Sequence, residues 1–367
     1  MFPLIALLGR RDAPTDGVED YCNFLGEALA RRGVELKHVR LQWNEDGWVS
    51  ALRRLRRESR DWRGKWVLLQ YTALGWSRRG FPVGVLAVQS ILRRRGARVA
   101  IVFHEPGRQY AESRHIDRIR GIVQDWVVRR LYGGAARAIM LDPLGKISWL
   151  PRGESKAAFV PIGANVPEPP ERAERAAGRN DPCKTIAVFC VDFPPYRERE
   201  LEEISHAVRS AFTKGLGLRI IFVGKGSTEA KEEVDRAFEG IPVEVVNLGI
   251  RSAAEVSRTL AECDVMLCVR GKLYPRRSTA IAGIACGLPI IGYAGAAEGT
   301  PLQEAGLQLV PYGDKGALGL ALVRVLSDTS LRQELRQKSL EAQRKYFSWD
   351  VIAKTLVESL ETEQGRT

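Results

Sequence analysis

The stretch ECDVMLCVRGKLYPRRSTAIAGIACGLPIIGY, Glu262 to Tyr293, reads as one strand–helix–strand unit. Val265 to Val269 is an unbroken apolar run, short enough to be a strand buried on both faces. Ser278 to Cys286 is rich in small apolar residues and opens on two hydroxyls, which predicts a packed helix; Gly287 stops it, and Pro289 to Tyr293 predicts the next strand. Between strand and helix stand Arg270, Lys272, Arg276 and Arg277, followed by Ser278 and Thr279. In parallel α/β sheets ligands sit outside the carboxyl ends of the strands. A loop at that edge with several cations and a helix N-terminus suits a diphosphate, because charge-assisted bonds and the helix dipole act together.

Outward from this unit, the second half repeats the alternation. Strands are expected at Thr185–Val191, Leu218–Val223, Val243–Asn247 and Leu307–Val310, with helices between them; the strand at 218–223 runs into Gly224, Lys225 and Gly226. The first half alternates in the same way, with strands at Phe2–Leu8, Glu35–Leu41, Trp66–Gln70, Val99–Phe103, Ala138–Leu141 and Ala158–Ile162. Such alternation implies parallel sheets with helices on both faces. Pro167 to Pro182, PEPPERAERAAGRNDP, is proline-rich, charged and nearly free of large apolar residues, which marks a linker. The expected organisation is a first Rossmann-like domain over 1–165, a linker over 166–182, a second Rossmann-like domain over 183–340, and a closing segment over 341–367 whose helix crosses back to the first domain. The fold class is α/β, two Rossmann-like domains facing a central cleft.

Composition bounds the function. The chain has 367 residues, 45% hydrophobic and 27% charged, enough apolar material for two cores. Its formal net charge of +12 favours anionic partners such as phosphates or acidic lipid surfaces. The basic clusters lack interleaved aromatics and any known nucleic-acid module, so no nucleic-acid partner is expected. Helix Trp48–Arg60, with Val49, Leu52 and Leu55 on one stripe among arginines, is a candidate for contact with an anionic membrane. None of the six cysteines forms a C-x-x-C pair, and they read as reduced thiols of a cytoplasmic protein. The apolar start is too short for a spanning helix and lacks a basic leader, so it reads as a first strand. No Asp-x-Asp occurs, and neither does a Walker A loop. Phosphates would be held by amides, Arg and Lys, with no metal site and no cofactor.

Several quoted stretches together resemble the GT-B glycosyltransferases of family 4. DGVEDYCNFLGEALARRGVEL (Asp16–Leu36) resembles that family's glycine-led first helix, and VFHEPG (Val102–Gly107) its histidine-bearing strand end. FVPIGANVP (Phe159–Pro167) resembles the run into the linker, LRIIFVGKG (Leu218–Gly226) the glycine turn of the second domain, and GLQLVPYGD (Gly306–Asp314) its last strand. YFSWDVIAKTL (Tyr346–Leu356) resembles the closing helix, and the likeness runs in order along nearly the whole chain. One feature departs: the family's paired glutamates fall here on Tyr274 and Ala282, and the early Arg–Lys pair has only Arg197 and Arg199 as substitutes.

The resemblance implies transfer of a sugar from a nucleotide-sugar donor to a glycan or lipid-linked acceptor, without metal and with retention of configuration. With the cation loop read above, the donor site is expected at Gly17, Lys225, Arg270, Lys272, Arg276, Arg277, Ser278 and Thr279. His104, after the strand at 99–103, would touch the sugar as the catalytic residue. Tyr71, Thr72 and Trp76 would face the acceptor, Trp76 as a stacking platform. Two rival expectations stand: a non-catalytic GT-B partner subunit, which the lost glutamates favour, and a nucleotide-sugar epimerase of the same fold.

Overall fold

The computed structural model describes residues 3–13, 15–108, 115–153, 156–169, 183–295 and 299–361. The chain divides into two compact units, Met1–Ile162 with Trp349–Thr367, and Gly163–Ser348. Most of the expected linker, residues 170–182, lies outside the described residues.

The first unit holds strands β1 (Leu4–Leu8), β2 (Leu36–Arg40), β3 (Trp66–Tyr71), β4 (Arg98–Phe103), β5 (Arg137–Met140) and β6 (Ala157–Phe159). They form one sheet in the order β2-β1-β3-β4-β5-β6, with every pairing parallel. Its helices are α1 (Gly17–Ala30), α2 (Trp43–Asp46), α3 (Trp48–Glu58), α4 (Gly84–Arg94) and α5 (His115–Gly134). β1 and β3 are buried along their whole length, as unbroken apolar strands between two helical layers should be. Helix α1 starts where Asp16 accepts the amides of Val18 and Glu19, both at 3.1 Å.

The second unit holds β7 (Cys183–Phe189), β8 (Gly217–Val223), β9 (Glu244–Gly249), β10 (Val265–Lys272), β11 (Ile290–Tyr293) and β12 (Leu307–Val310). Its helices are α6 (Tyr196–Phe212), α7 (Lys231–Ala237), α8 (Ala253–Ala261), α9 (Ser278–Ala285), α10 (Lys315–Ser327) and α11 (Thr329–Ala342), the last running into a π-helical turn at Gln343–Phe347. The sheet order is β12-β11-β10-β7-β8-β9, again all parallel. Numbered from β7, this is the Rossmann order, and the chain reverses direction across the sheet between β7 and β10. In the first sheet the reversal falls between β1 and β3. These reversal points open the crevices that bind ligands in such folds.

Helix α12 (Trp349–Glu361) packs in the first unit. Trp349 stacks on Phe24 and meets Tyr21 edge-on, and Arg31 pairs with Asp350 at 2.8 Å. Helix α3 corrects one expectation: Leu55 is buried and Leu52 packs against the core, so its apolar stripe faces the sheet and leaves Val49 exposed. Among the described residues, no helix is long and apolar enough to cross a membrane.

Candidate functional site

The second sheet's reversal point is built from the ends of β7, β8 and β10. After β7, Cys190 takes a left-handed φ of 66° and donates its amide to Val223 O, while the Val191 amide reaches Lys225 O. Gly226 makes this junction possible: its φ is 84°, and a Cβ there would lie 2.2 Å from Val191 O. The two loops are thereby locked side by side. A register shift in β10 between Cys268 and Lys272, with Gly271 at φ 73°, turns the strand end that carries Arg270.

Arg270 Nη2 lies 3.4 Å from Asp192 Oδ1, across the reversal. Arg277 Nη2 donates to Arg270 O at 2.5 Å, which folds the loop back on itself. The Nε atoms of both Arg270 and Arg277 are buried without a hydrogen-bond partner among the described residues. Buried donors of this kind need an acceptor. Helix α9 starts directly after Arg277 and has no side-chain cap, so its first amides and Ser278 open onto the same loop. Thr279 is buried and hydrogen-bonds the Cys268 thiol, which makes it part of the helix seat. The guanidiniums of Arg276 and Arg277 lie 5.5 and 4.5 Å from the Tyr274 ring centre. Lys225 Nζ lies 5.5 Å from that of Phe193. The structure therefore gathers Arg270, Arg276, Arg277, Ser278 and the neighbouring Lys272 around one helix start.

Two features of this site, Glu200 and Tyr312, have no counterpart in the sequence reading, and a third, Arg197, takes another role. Glu200 on α6 is buried, accepts the Asp192 amide at 2.7 Å, and is pushed up to about 7 by burial, against the opposing pull of that hydrogen bond and of Arg270. Tyr312, just past β12, exposes its ring between Lys272 and Arg199, whose charges lie 5.6 and 5.4 Å from the ring centre. Arg197 is a strut: it is buried and bonded to Asp192 O, Glu229 O and Glu233, so it does not replace a family cation. Only Tyr312 carried a signal in the sequence, as an aromatic directly after a strand.

In the first unit, His104 follows β4, half-buried, with Nε2 2.8 Å from Gln70 Oε1. Gln70 donates its own amide to Leu68 O, which turns Oε1 toward the histidine. Tyr21 meets the ring edge-on at 5.0 Å. Gly17 opens α1 with free space around its Cα, but Asp16 and its partner Arg40 occupy this helix start. The expected acceptor residues are corrected. Trp76 is 1% exposed, gives its indole N–H to Gln70 O, and lies in a run of rings with Trp48 and Trp43; it offers no stacking platform. Tyr71 is equally buried against Phe103. Thr72 turns its hydroxyl onto the Gly75 amide. Among the described residues, no group of three or more His, Cys, Asp or Glu is placed to hold a metal ion.

The chain matches no described protein family and no curated protein sequence. Solved structures do match. Sucrose-phosphate synthase from Thermosynechococcus elongatus is 18% identical, with a TM-score of 0.70 over 100% of both chains. HepE of Anabaena, solved with UDP and glucose, is 12% identical, with a TM-score of 0.65 over 99% of this chain and 100% of its own. WaaG, a glycosyltransferase involved in lipopolysaccharide biosynthesis, is 12% identical, with a TM-score of 0.61 over 97% and 98%. At these identities the likeness establishes the fold, the two Rossmann-like domains of GT-B glycosyltransferases.

Proposed function

We propose that this chain is a family 4-like glycosyltransferase that moves a sugar from a nucleotide-sugar to a glycan or lipid-linked acceptor, without metal or cofactor and with retention of configuration. One observation carries the reading. Two buried guanidinium nitrogens without a partner among the described residues and an uncapped helix start lie at the reversal point of the second sheet. A leaving diphosphate supplies the acceptor oxygens they lack. The fold's likeness to HepE, which was solved with UDP and glucose, supports the same ligand class.

In this reading the second unit holds the donor, and Arg270 and the α9 amides stabilise the charge that grows on the departing diphosphate. Lys225, Lys272 and Arg276 add positive potential; the α1 start at Gly17 is already capped by Asp16 and its partner Arg40 and takes no donor role. His104, its ring held by Gln70, touches the transferred sugar. Residues 1–165 serve the acceptor and 183–340 the donor, in a cytoplasmic enzyme that meets the inner face of a membrane when its acceptor is lipid-linked. The sequence's lack of Asp-x-Asp motivates metal independence.

The test is thermal shift against a panel of nucleotides and nucleotide-sugars, then transfer from the best stabiliser with and without EDTA. A ligand bound to the native state alone raises the melting temperature by mass action. Transfer that persists in EDTA supports the reading; transfer lost in EDTA and restored by magnesium or manganese removes its metal-independent part. A second reading, a non-catalytic partner subunit, is favoured by Ala282, which is fully buried where the family has a carboxylate. Binding without transfer or hydrolysis, whatever the acceptor, would select it.

A further inference from the structure

Helix α5 carries an apolar stripe that the fold leaves uncovered. Gly121, Gln124, Val127, Val128 and Leu131 face the first core. On the other side Ile119, Ile122 and Trp126 are 51%, 61% and 46% exposed. At about 100° per residue these three fall within an arc of roughly 60°. An ordinary solvated helix face carries charges there.

The stripe's surroundings are basic. Arg118 and Arg129 are exposed on one flank of the stripe, and Arg130 on the other, its guanidinium 5.7 Å from the centre of the Trp126 ring. Trp126, Arg129 and Arg130 line a groove of about 780 Å³ whose opposite wall, on α4, carries Arg93. Gly133, without a side chain, leaves the groove open between them. Aromatic and aliphatic side chains beside snorkelling arginines suit the boundary between acyl chains and anionic headgroups. The chain's net charge of +12 adds long-range attraction to the same surface. Helix α5 follows β4 in the chain, and Arg108, four residues past His104, pairs with Asp125 of α5 at 2.9 Å.

We infer that the α5 stripe and its arginine-lined groove form the surface by which this protein docks on an anionic lipid bilayer, with headgroup phosphates between Arg93 and Arg129–Arg130. This rests on the reading of a lipid-linked acceptor and locates it on the molecule. It also moves the membrane contact from α3, where the sequence suggested it, to α5.

The full chain is sedimented with vesicles of phosphatidylcholine alone and of phosphatidylcholine mixed with phosphatidylglycerol. It should bind the mixed vesicles and lose them as salt rises. The double variant Arg129→Glu, Arg130→Glu should bind at least about 30-fold more weakly, the scale of two lost basic contacts. The single variant Trp126→Asp, which puts a carboxylate in the apolar stripe, should also bind more weakly. Val49→Asp on α3 should bind as wild type. Melting temperature checks that each variant folds. Nucleotide affinity, measured without vesicles, should be unchanged, so that failure here stays separate from failure of the glycosyltransferase reading. Absence of vesicle binding by the wild type overturns the inference, as does equal binding by folded α5 variants. A wild-type dimer in sedimentation velocity that Trp126→Asp dissolves would assign the face to a second copy and overturn it as well.

Discussion

Asp192 Oδ1 and Arg270 Nη2 lie 3.4 Å apart, joining the loop after β7 to the end of β10 at the strand reversal of the second sheet. Each side chain is about a quarter exposed, at 25% and 24%, so the pair sits at a rim. Such pairs contribute about 0.5–1 kcal/mol. A diphosphate can therefore compete with Asp192 for the guanidinium. Asp192→Asn keeps the oxygen that accepts the Phe193 amide and removes the competing charge. It should tighten nucleoside diphosphate binding about two- to fivefold at low ionic strength. Unchanged or weaker affinity in calorimetry would show that Asp192 positions Arg270 for the ligand.

Glu200 gives the fold a pH signature. Its carboxyl is raised from 4.5 to about 7, chiefly by burial. Between those values the native state binds more protons than the unfolded chain, so stability falls as pH rises, and the loss is complete above about 7. At about 1.4 kcal/mol per tenfold change in proton affinity, the loss is about 3 kcal/mol. Glu200→Gln keeps an acceptor for the Asp192 amide and removes the titration. The wild type should lose more stability between pH 5 and pH 8 than the variant, in denaturant melts at about these values. Parallel pH profiles would refute the raised carboxyl.

His104 separates an enzyme from a binding scaffold. If it touches the sugar as charge develops, His104→Ala should lower kcat about 10²-fold or more and change nucleotide affinity little. Gln70→Leu, which removes the partner of Nε2, should lower kcat in the same direction and less. A His104→Ala protein that melts early yet transfers at full rate would make the histidine a packing residue.

Gly226→Ala tests the lock between the β7 and β8 loops. Its left-handed φ and the 2.2 Å approach to Val191 O both oppose a side chain. The substitution should cost about 2 kcal/mol or more. A smaller loss of stability, measured in denaturant, would show that the Val191–Lys225 junction yields easily.

Both sheets were legible in the sequence because their strands are unbroken apolar runs closed by glycine or polar loops, as at Val265–Val269. The place of Arg270 followed directly, since a cation after a buried strand must emerge at its carboxyl end. What the sequence hid depended on partners distant along the chain. Trp76 stands in a polar segment, but Trp48, itself stacked on Trp43, covers it from more than a helix away. Glu200 reads as one more charge on a glutamate-rich helix until the amide of Asp192 reaches it. Arg197 looks like a free cation until Glu233 and two backbone carbonyls hold it. The α5 stripe is hidden in the sequence for the opposite reason. Its apolar residues look like core on a helical wheel, and the packing alone shows which ones the sheet leaves uncovered.

Titration calorimetry of a nucleoside diphosphate, UDP first, into the wild type and Arg270→Ala tests the central claim most directly. The guanidinium would give the diphosphate a charged hydrogen bond worth about 1.5–3 kcal/mol. The wild type should bind in EDTA, and Arg270→Ala should bind roughly 10- to 150-fold more weakly with its melting temperature preserved. Equal affinity in a folded Arg270→Ala protein, for whichever nucleoside diphosphate the wild type binds, would contradict it.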